Sequence, residues 1–365
     1  MRISSQKYGF LVLLIFPILW FIAPCHRPSL SVKYLSPQKK THGIHKPQVM
    51  STMRATVQQT LKVVKPIMVT KKPITGCKPA ELPDQDLYRK ILQDHEKFIL
   101  KAPKPPSPNT TFVVFVIHSV NNTKVRKEIR ETWLNPNESK VIRNGSAQYY
   151  FIVGKPRNPE NLFESDVLYT NISEIYPNLV LKELIAYLWL VKHKKNGQML
   201  KIDGKDTVAN LDRLSSQVKW NEQKISCLLW DPVQPNRNIC SPWYVPLKHY
   251  YKPVYPRYCG GPAYMIPIRQ LKKLLSHASN HSALVVEDVF FTGVLAFKAR
   301  VKRKNLGEIF RTYCPQRKAK TLKIFQRRAI ACSKSKKMVT SVLSRHCYNR
   351  KRKEIWDLLK NGTCT

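Results

Sequence analysis

The chain of 365 residues is 43% hydrophobic with only 12 glycines, which suffices for one sizeable core and excludes collagenous and wholly disordered classes. Its 63 lysines and arginines against 23 acids give a formal charge of +40, which attracts anionic polymers and membrane surfaces but identifies no function. Nine cysteines without a C-x-x-C pair or a Cys/His zinc spacing argue against a thiolate metal module.

Residues 1–7, with Arg2 and Lys7, read as a cytosolic tail, and 8–24 as a signal-anchor transmembrane segment, because YGFLVLLIFPILWFIA carries no charge. A cleaved signal peptide is the competing reading, against which Ala23-Pro24-Cys25 is a poor cleavage site. Seven N-x-[ST] sequons follow, at Asn109, Asn121, Asn137, Asn144, Asn171, Asn280 and Asn361. With the cysteines, they predict that the carboxyl side faces an oxidising, glycosylating lumen. Residues 25–108, rich in Pro, Lys, Thr, Gln and Ser, predict a stem, within which 87–100 has the spacing of one amphipathic helix.

From 109 to 300 the pattern is that of an α/β domain. The apolar run at 112–120 predicts a strand, 124–133 a helix, 149–153 a strand, 179–193 a helix, 199–202 a short strand and 211–218 a helix. Such alternation implies a largely parallel sheet with ligands beyond the carboxyl ends of its strands. A further strand is expected at 283–286 (ALVV), with Glu287 and Asp288 at its end. Residues 301–365 form a basic, cysteine-containing carboxyl-terminal extension. Its charge is expected to meet acidic glycans or membrane rather than nucleic acid, given a lumenal location. The cysteines fall in two groups, Cys227, Cys240 and Cys259, then Cys314, Cys332, Cys347 and Cys364, each expected to form disulfides that staple loops.

Four ordered motifs carry a family resemblance: Arg126-x-x-x-Arg130-x-Thr132-Trp133, Asn178-Leu-x-Leu-Lys182, Tyr255-Pro256-x-Tyr258-Cys259-x-Gly261-x-x-Tyr264 and Glu287-Asp288-Val289-x-x-x-Gly293. In order and spacing this resembles the β-1,3-galactosyltransferase and β-1,3-N-acetylglucosaminyltransferase family, over roughly residues 110 to 300. The resemblance implies a Golgi type II membrane protein whose lumenal domain has the Rossmann-like A-type (GT-A) glycosyltransferase fold. It also implies transfer from a UDP-sugar to a glycan acceptor on glycoprotein or glycolipid, with inversion.

That family's metal motif, Lys-x-Asp-Asp-Asp before a strand and an Asn, corresponds here to Lys201-Ile202-Asp203-Gly204-Lys205-Asp206 followed by Asn210. Two registers stay open, but both keep carboxylates at a strand end, where Asp203 and Asp206 are expected to share Mn²⁺ or Mg²⁺ with the diphosphate. Lys205 can meet a phosphate directly. The competing reading has both aspartates merely forming a turn. By resemblance Asp288 is the general base, unless it only caps a helix beginning near Phe290, and Glu287 binds acceptor or orients Asp288. Arg126 and Arg130, four apart, either meet the donor's phosphates or pair with core acids. Of the aromatic residues between the two acidic motifs, Trp243 and Tyr264 are expected against the acceptor sugar. The altered aspartate triplet also admits an inactive member that binds glycans or joins a partner transferase.

Overall fold

The computed structural model describes residues 77–158, 164–205, 207–219, 222–310 and, in the carboxyl-terminal extension, 340–342 with Lys353, Trp356, Asp357 and Lys360. The expected cytosolic tail and membrane segment, Asp206, Asn361 and the four cysteines from Cys314 onward lie outside them. Among the described residues no helix is long and apolar enough to cross a membrane.

Strand β1 (Ile99–Lys101) is an edge strand, and β2 (Phe112–Ile117, FVVFVI) is the centre of an eight-stranded sheet. All six β2 residues are buried, as β-branched and aromatic residues are in a strand covered on both faces. Val113, Phe115 and Ile117 join one hydrophobic cluster and Phe112, Val114 and Val116 the other, because side chains alternate across the sheet.

Strand β3 (Ala147–Val153) runs parallel to β2, and β4 (Val167–Thr170) parallel to β3. On the other side of β2 lies β5 (Gln198–Asp203), also parallel. These four strands are the expected parallel sheet, and the β2/β5 boundary is its switch point, where a crevice opens beyond the strand ends. The rest departs from expectation. A short β6 (Thr207–Ala209) stands apart from the main sheet. Strand β7 (Ile225–Trp230) pairs antiparallel with β8 (Tyr258–Pro267), β8 pairs antiparallel with β5, and β9 (Arg303–Asn305) runs parallel to β7. Residues 283–286 form no strand; Ala283, Leu284 and Val285 are buried in the core as irregular chain.

The helices beside the sheet include α1 (Gln85–Gln93), α2 (Thr123–Glu131), α3 (Lys140–Arg143), α4 (Leu179–His193), α5 (Leu211–Gln217), which is the helix expected at 211–218, and α6 (Ile268–Leu275). Helix α4 buries ten of its fifteen residues, so its apolar run is that of a core helix rather than a surface one. Helix α1 starts where the Asp84 carboxylate accepts from the Asp86 and Leu87 amides, and it ends at Gln93, short of the expected 100, because Asp94 begins a separate 3₁₀ turn. Its Tyr88 and Ile91 enter the core, and burial of Ile91 alone contributes about 2 kcal/mol. With β1 antiparallel on β4 and Cys77 bonded to Cys240, residues 77–108 are part of the packed fold rather than stem.

The extension is likewise joined to the domain. Strand β10 (Thr340–Val342) pairs antiparallel with β6, and Trp356 is buried in the second cluster. Of the expected disulfides, Cys227–Cys259 ties β7 to β8, whereas Cys240 pairs outside its group with Cys77.

Candidate functional site

A cleft of ≈ 400 Å³ is lined by Lys201 and Asp203 of β5, Tyr258 and Gly261 of β8, Glu287, Asp288, and aromatic residues including Tyr176, Trp243 and Tyr255. Asp203 ends β5 in register with Ile117 at the end of β2, at the switch point. Its Oδ1 accepts from the Lys205 amide at 3.1 Å, so the expected turn does form, while the residue still lines the cleft. Gly204 follows because nothing larger fits: a Cβ there would stand 2.5 Å from His118 Cδ2 and 2.6 Å from Val116 Cγ1. Lys205 is exposed beyond the turn.

Glu287 and Asp288 lead into a π-wound helix (Val289–Leu295), not out of a strand. Asp288 Oδ1 accepts from the Val289 amide at 2.7 Å, so it caps the helix and faces the cleft at once. The cap reading and the chemical reading coexist in one side chain. Wide helical turns of this kind recur at functional sites. The turn is held to β8 by Thr292, whose hydroxyl donates to the Asp288 carbonyl at 2.6 Å and accepts from the Cys259 amide at 2.8 Å.

Behind the two acids lies a buried ion network. The Lys201 ammonium stands 3.3 Å from Glu183 and 3.4 Å from Glu287, and donates to the Gly261 carbonyl at 2.7 Å. Glu183 Oε2 accepts from Tyr187 at 2.8 Å and Tyr264 at 3.1 Å. Burial opposes the charge on Lys201, but Glu183 and Glu287 outweigh it and raise the ammonium pKa above its ordinary value. Burial pushes Glu287 up to about 8 against the pull of Lys201, with Asp288 and Glu183 adding to the rise. Asp288 is pushed up to about 6, chiefly by burial.

The acceptor expectations divide. Trp243 is half exposed on the cleft and donates from Nε1 to the Tyr176 hydroxyl at 3.1 Å, joining two loops into an aromatic rim. Tyr264 is fully buried, with its hydroxyl committed to Glu183 and Tyr187, so it cannot touch an acceptor; a β8 side chain on that face points into the core.

The sugar-donor expectation for Arg126 and Arg130 is also corrected. Arg126 is buried, donating to Glu164 and to the carbonyls of Ser119 at 2.9 Å and Val120 at 3.2 Å. Arg130 holds Glu164 at 2.6 Å and Asp166 at 2.7 Å and lies over the Phe151 ring. Neither lines the cleft, because both are neutralised by carboxylates from beside β4. Lys182 of the second motif is similarly structural: it pairs with Glu174 at 2.9 Å and donates to the His118 carbonyl at 2.8 Å.

Among the described residues no group of three or more His, Cys, Asp or Glu could hold a metal. A hard cation bound by one or two carboxylates plus phosphate oxygens and water needs no such cage, and Asp203 at the strand end fits that donor set. Sequence reading missed Glu183 and Tyr176. An acid inside the apolar run LVLKELIAYLWLVKH signals a buried charge that needs a partner, but which partner depends on the fold.

Residues 124–307 match the family model described as Galactosyltransferase. The chain is 26% identical over 220 residues to beta-1,3-galactosyltransferase bre-2 of Caenorhabditis elegans, covering 54% of this chain and 60% of that protein. It is 25% identical over 208 residues to beta-1,3-galactosyltransferase 1 of Homo sapiens, covering 53% and 63%. It is 23% identical over 233 residues to lactosylceramide 1,3-N-acetyl-beta-D-glucosaminyltransferase of Rattus norvegicus, covering 59% and 62%. The chain therefore spans about three-fifths of the length of these relatives. The switch-point cleft, its acidic pair and the family model spanning half the chain lead to one conclusion: this chain belongs to the galactosyltransferase family.

Proposed function

We propose that the protein is an inverting hexosyltransferase that moves galactose, or N-acetylglucosamine, from UDP to a glycan hydroxyl, forming a β-1,3 linkage. The observation that carries this reading is that Asp203 and Asp288, from strand end and helix start, line one cleft at the sheet's switch point. Asp288, held by the Val289 amide, takes the proton from the acceptor hydroxyl as that oxygen attacks the anomeric carbon from the face opposite UDP. Trp243 and Tyr176 offer flat faces to the acceptor's C–H surface. Mn²⁺ or Mg²⁺, held by Asp203 and Asp206 with the diphosphate, would neutralise charge developing on the departing UDP. Lys205, exposed beside Asp203, is suited to a phosphate oxygen.

The proposed setting is the Golgi lumen, with residues 8–24 as the anchor and the acceptor carried on glycoprotein or glycolipid. Two disulfides and the exposure of Asn109, Asn121, Asn137, Asn144, Asn171 and Asn280 support a lumenal compartment. The test is transfer by the secreted domain from UDP-galactose and UDP-N-acetylglucosamine to neutral glycans with Mn²⁺, with linkage analysis of the product and chelation as control. Asp203→Asn should weaken Mn²⁺-dependent UDP binding in calorimetry. The packing that bars a side chain at Gly204 favours a second reading, an inactive member serving a partner transferase. UDP binding without transfer or donor hydrolysis would select it.

A further inference from the structure

Helix α4 carries Glu183 at 0% side-chain exposure; it does not line the cleft, but it contacts Lys201, which does. A buried carboxylate without a counter-charge is strongly unfavourable, and Lys201, at 3.3 Å, is that counter-charge. Lys201 does more than neutralise it. The same ammonium donates to the Gly261 carbonyl at 2.7 Å, fixing the peptide segment of β8 that lies against the acidic pair. The Gly261 backbone in turn lies directly against the Asp288 carboxylate. The fit is close: a Cβ at position 261 would stand 3.2 Å from Asp288 Oδ2 and 3.5 Å from Glu287 Oε1.

We propose that Glu183 is a positioning residue for sugar transfer, acting through Lys201 and Gly261 to hold the Asp288 carboxylate at its attack position. The chain is directional. Glu183 anchors the ammonium, the ammonium holds the β8 backbone, and that backbone holds the base. Without Glu183, Lys201 has only Glu287 as an ion partner at this contact and moves toward it, releasing the Gly261 carbonyl. The Tyr187 and Tyr264 hydroxyls both reach Glu183 Oε2, at 2.8 and 3.1 Å, so that oxygen keeps a donor when Tyr187 is removed, while Oε1 faces Lys201.

The proposal rests on the transferase reading, and the experiment separates the two. Steady-state transfer is measured for the parent, Glu183→Gln, Glu183→Asp and Tyr187→Phe, with UDP affinity by calorimetry and melting temperature recorded for each. Glu183→Gln keeps the shape but loses the charge, and should lower kcat by about 10- to 100-fold, the cost of misplacing a reacting group, while UDP affinity stays within about twofold. Glu183→Asp keeps the charge and should recover part of kcat. Tyr187→Phe removes a hydrogen bond to Glu183 without touching the ion pair, so it should lower the melting temperature with kcat within about twofold of the parent. If Glu183→Gln does not fold, the Asp variant carries the test through its kcat at unchanged UDP affinity. Unchanged kcat in the folded Glu183 variants of an active parent overturns the proposal and leaves the function standing. Loss of kcat in Tyr187→Phe equal to that in Glu183→Gln would make the site structural. A parent inactive with both sugar nucleotides overturns the function, and the proposal with it.

Discussion

Ile117 and Asp203 face each other as the last paired residues of the parallel strands β2 and β5. Beyond this pair the chain leaves the sheet in two directions, toward α2 on one side and the Gly204–Lys205 turn on the other. A carboxylate at this point lies on the floor of a crevice that the topology opens, and Glu287 and Asp288 line the same crevice from a different segment.

Asp288→Asn preserves the side-chain shape and the cap to Val289 but removes the base. Transfer should fall by about 10²- to 10⁴-fold while UDP binding with Mn²⁺ stays largely intact. Full transfer by this variant would remove Asp288 from the mechanism.

The acidic pair predicts two pH effects. A base works only when ionised, and burial holds Asp288 up at about 6, so kcat/KM for the acceptor should fall as pH drops through about 6 rather than near the ordinary aspartate value of about 4. For stability the sign is the reverse. Between the ordinary carboxylate range and the raised values, the folded chain holds protons that the unfolded chain has released, so stability falls as pH rises through that window. Denaturant midpoints at about pH 5 and about pH 8 should show a smaller fall in Glu287→Gln than in the parent.

Gly204→Asp restores an acid at a position where the family motif has one in one register. The contacts to His118 and Val116 should make it destabilising, by about 1–3 kcal/mol, with no gain in Mn²⁺ affinity. Tighter metal binding at unchanged stability would show that the turn can open.

Arg126→Ala would leave the Glu164 carboxylate without its most buried partner and the Ser119 and Val120 carbonyls without a donor. The expected cost is about 3 kcal/mol or more in stability, with UDP affinity of the folded protein within about twofold. A large loss of UDP affinity at unchanged stability would return this arginine to the sugar-donor site.

Non-reducing peptide mapping should recover the Cys77–Cys240 and Cys227–Cys259 cross-links. Replacing Cys77 and Cys240 with serine should cost about 2–5 kcal/mol, since the bond closes a loop of 163 residues between α1's approach and the cleft rim. Recovery of either pair as free thiols from native protein would contradict the pairing.

By itself the sequence determined what depends on local pattern: the buried strand FVVFVI, the core helix over 179–193, and carboxylates at the end of β5 and beside Val289. Periodicity and turn chemistry are written within a few residues, and they reach as far as such neighbours interact. Tertiary structure decided the rest, because each outcome joins residues far apart in the chain. Arg126 and Arg130 look identical in sequence whether they meet a phosphate or an acid; Glu164 and Asp166, brought alongside by the β3/β4 pairing, decide for the acids. Tyr264 and Trp243 are both aromatic residues of one region, yet β8 turns the first into the core while a loop leaves the second on the rim. The end of the supposed stem has a polar composition, but a few apolar contacts, one edge strand and a distant cysteine incorporate it in the fold. Lys201 belonged to a motif on sequence grounds, but that it stands between Glu183 and Glu287 follows only from packing α4 and β8 against β5, which sets its charge against theirs in a place water does not reach.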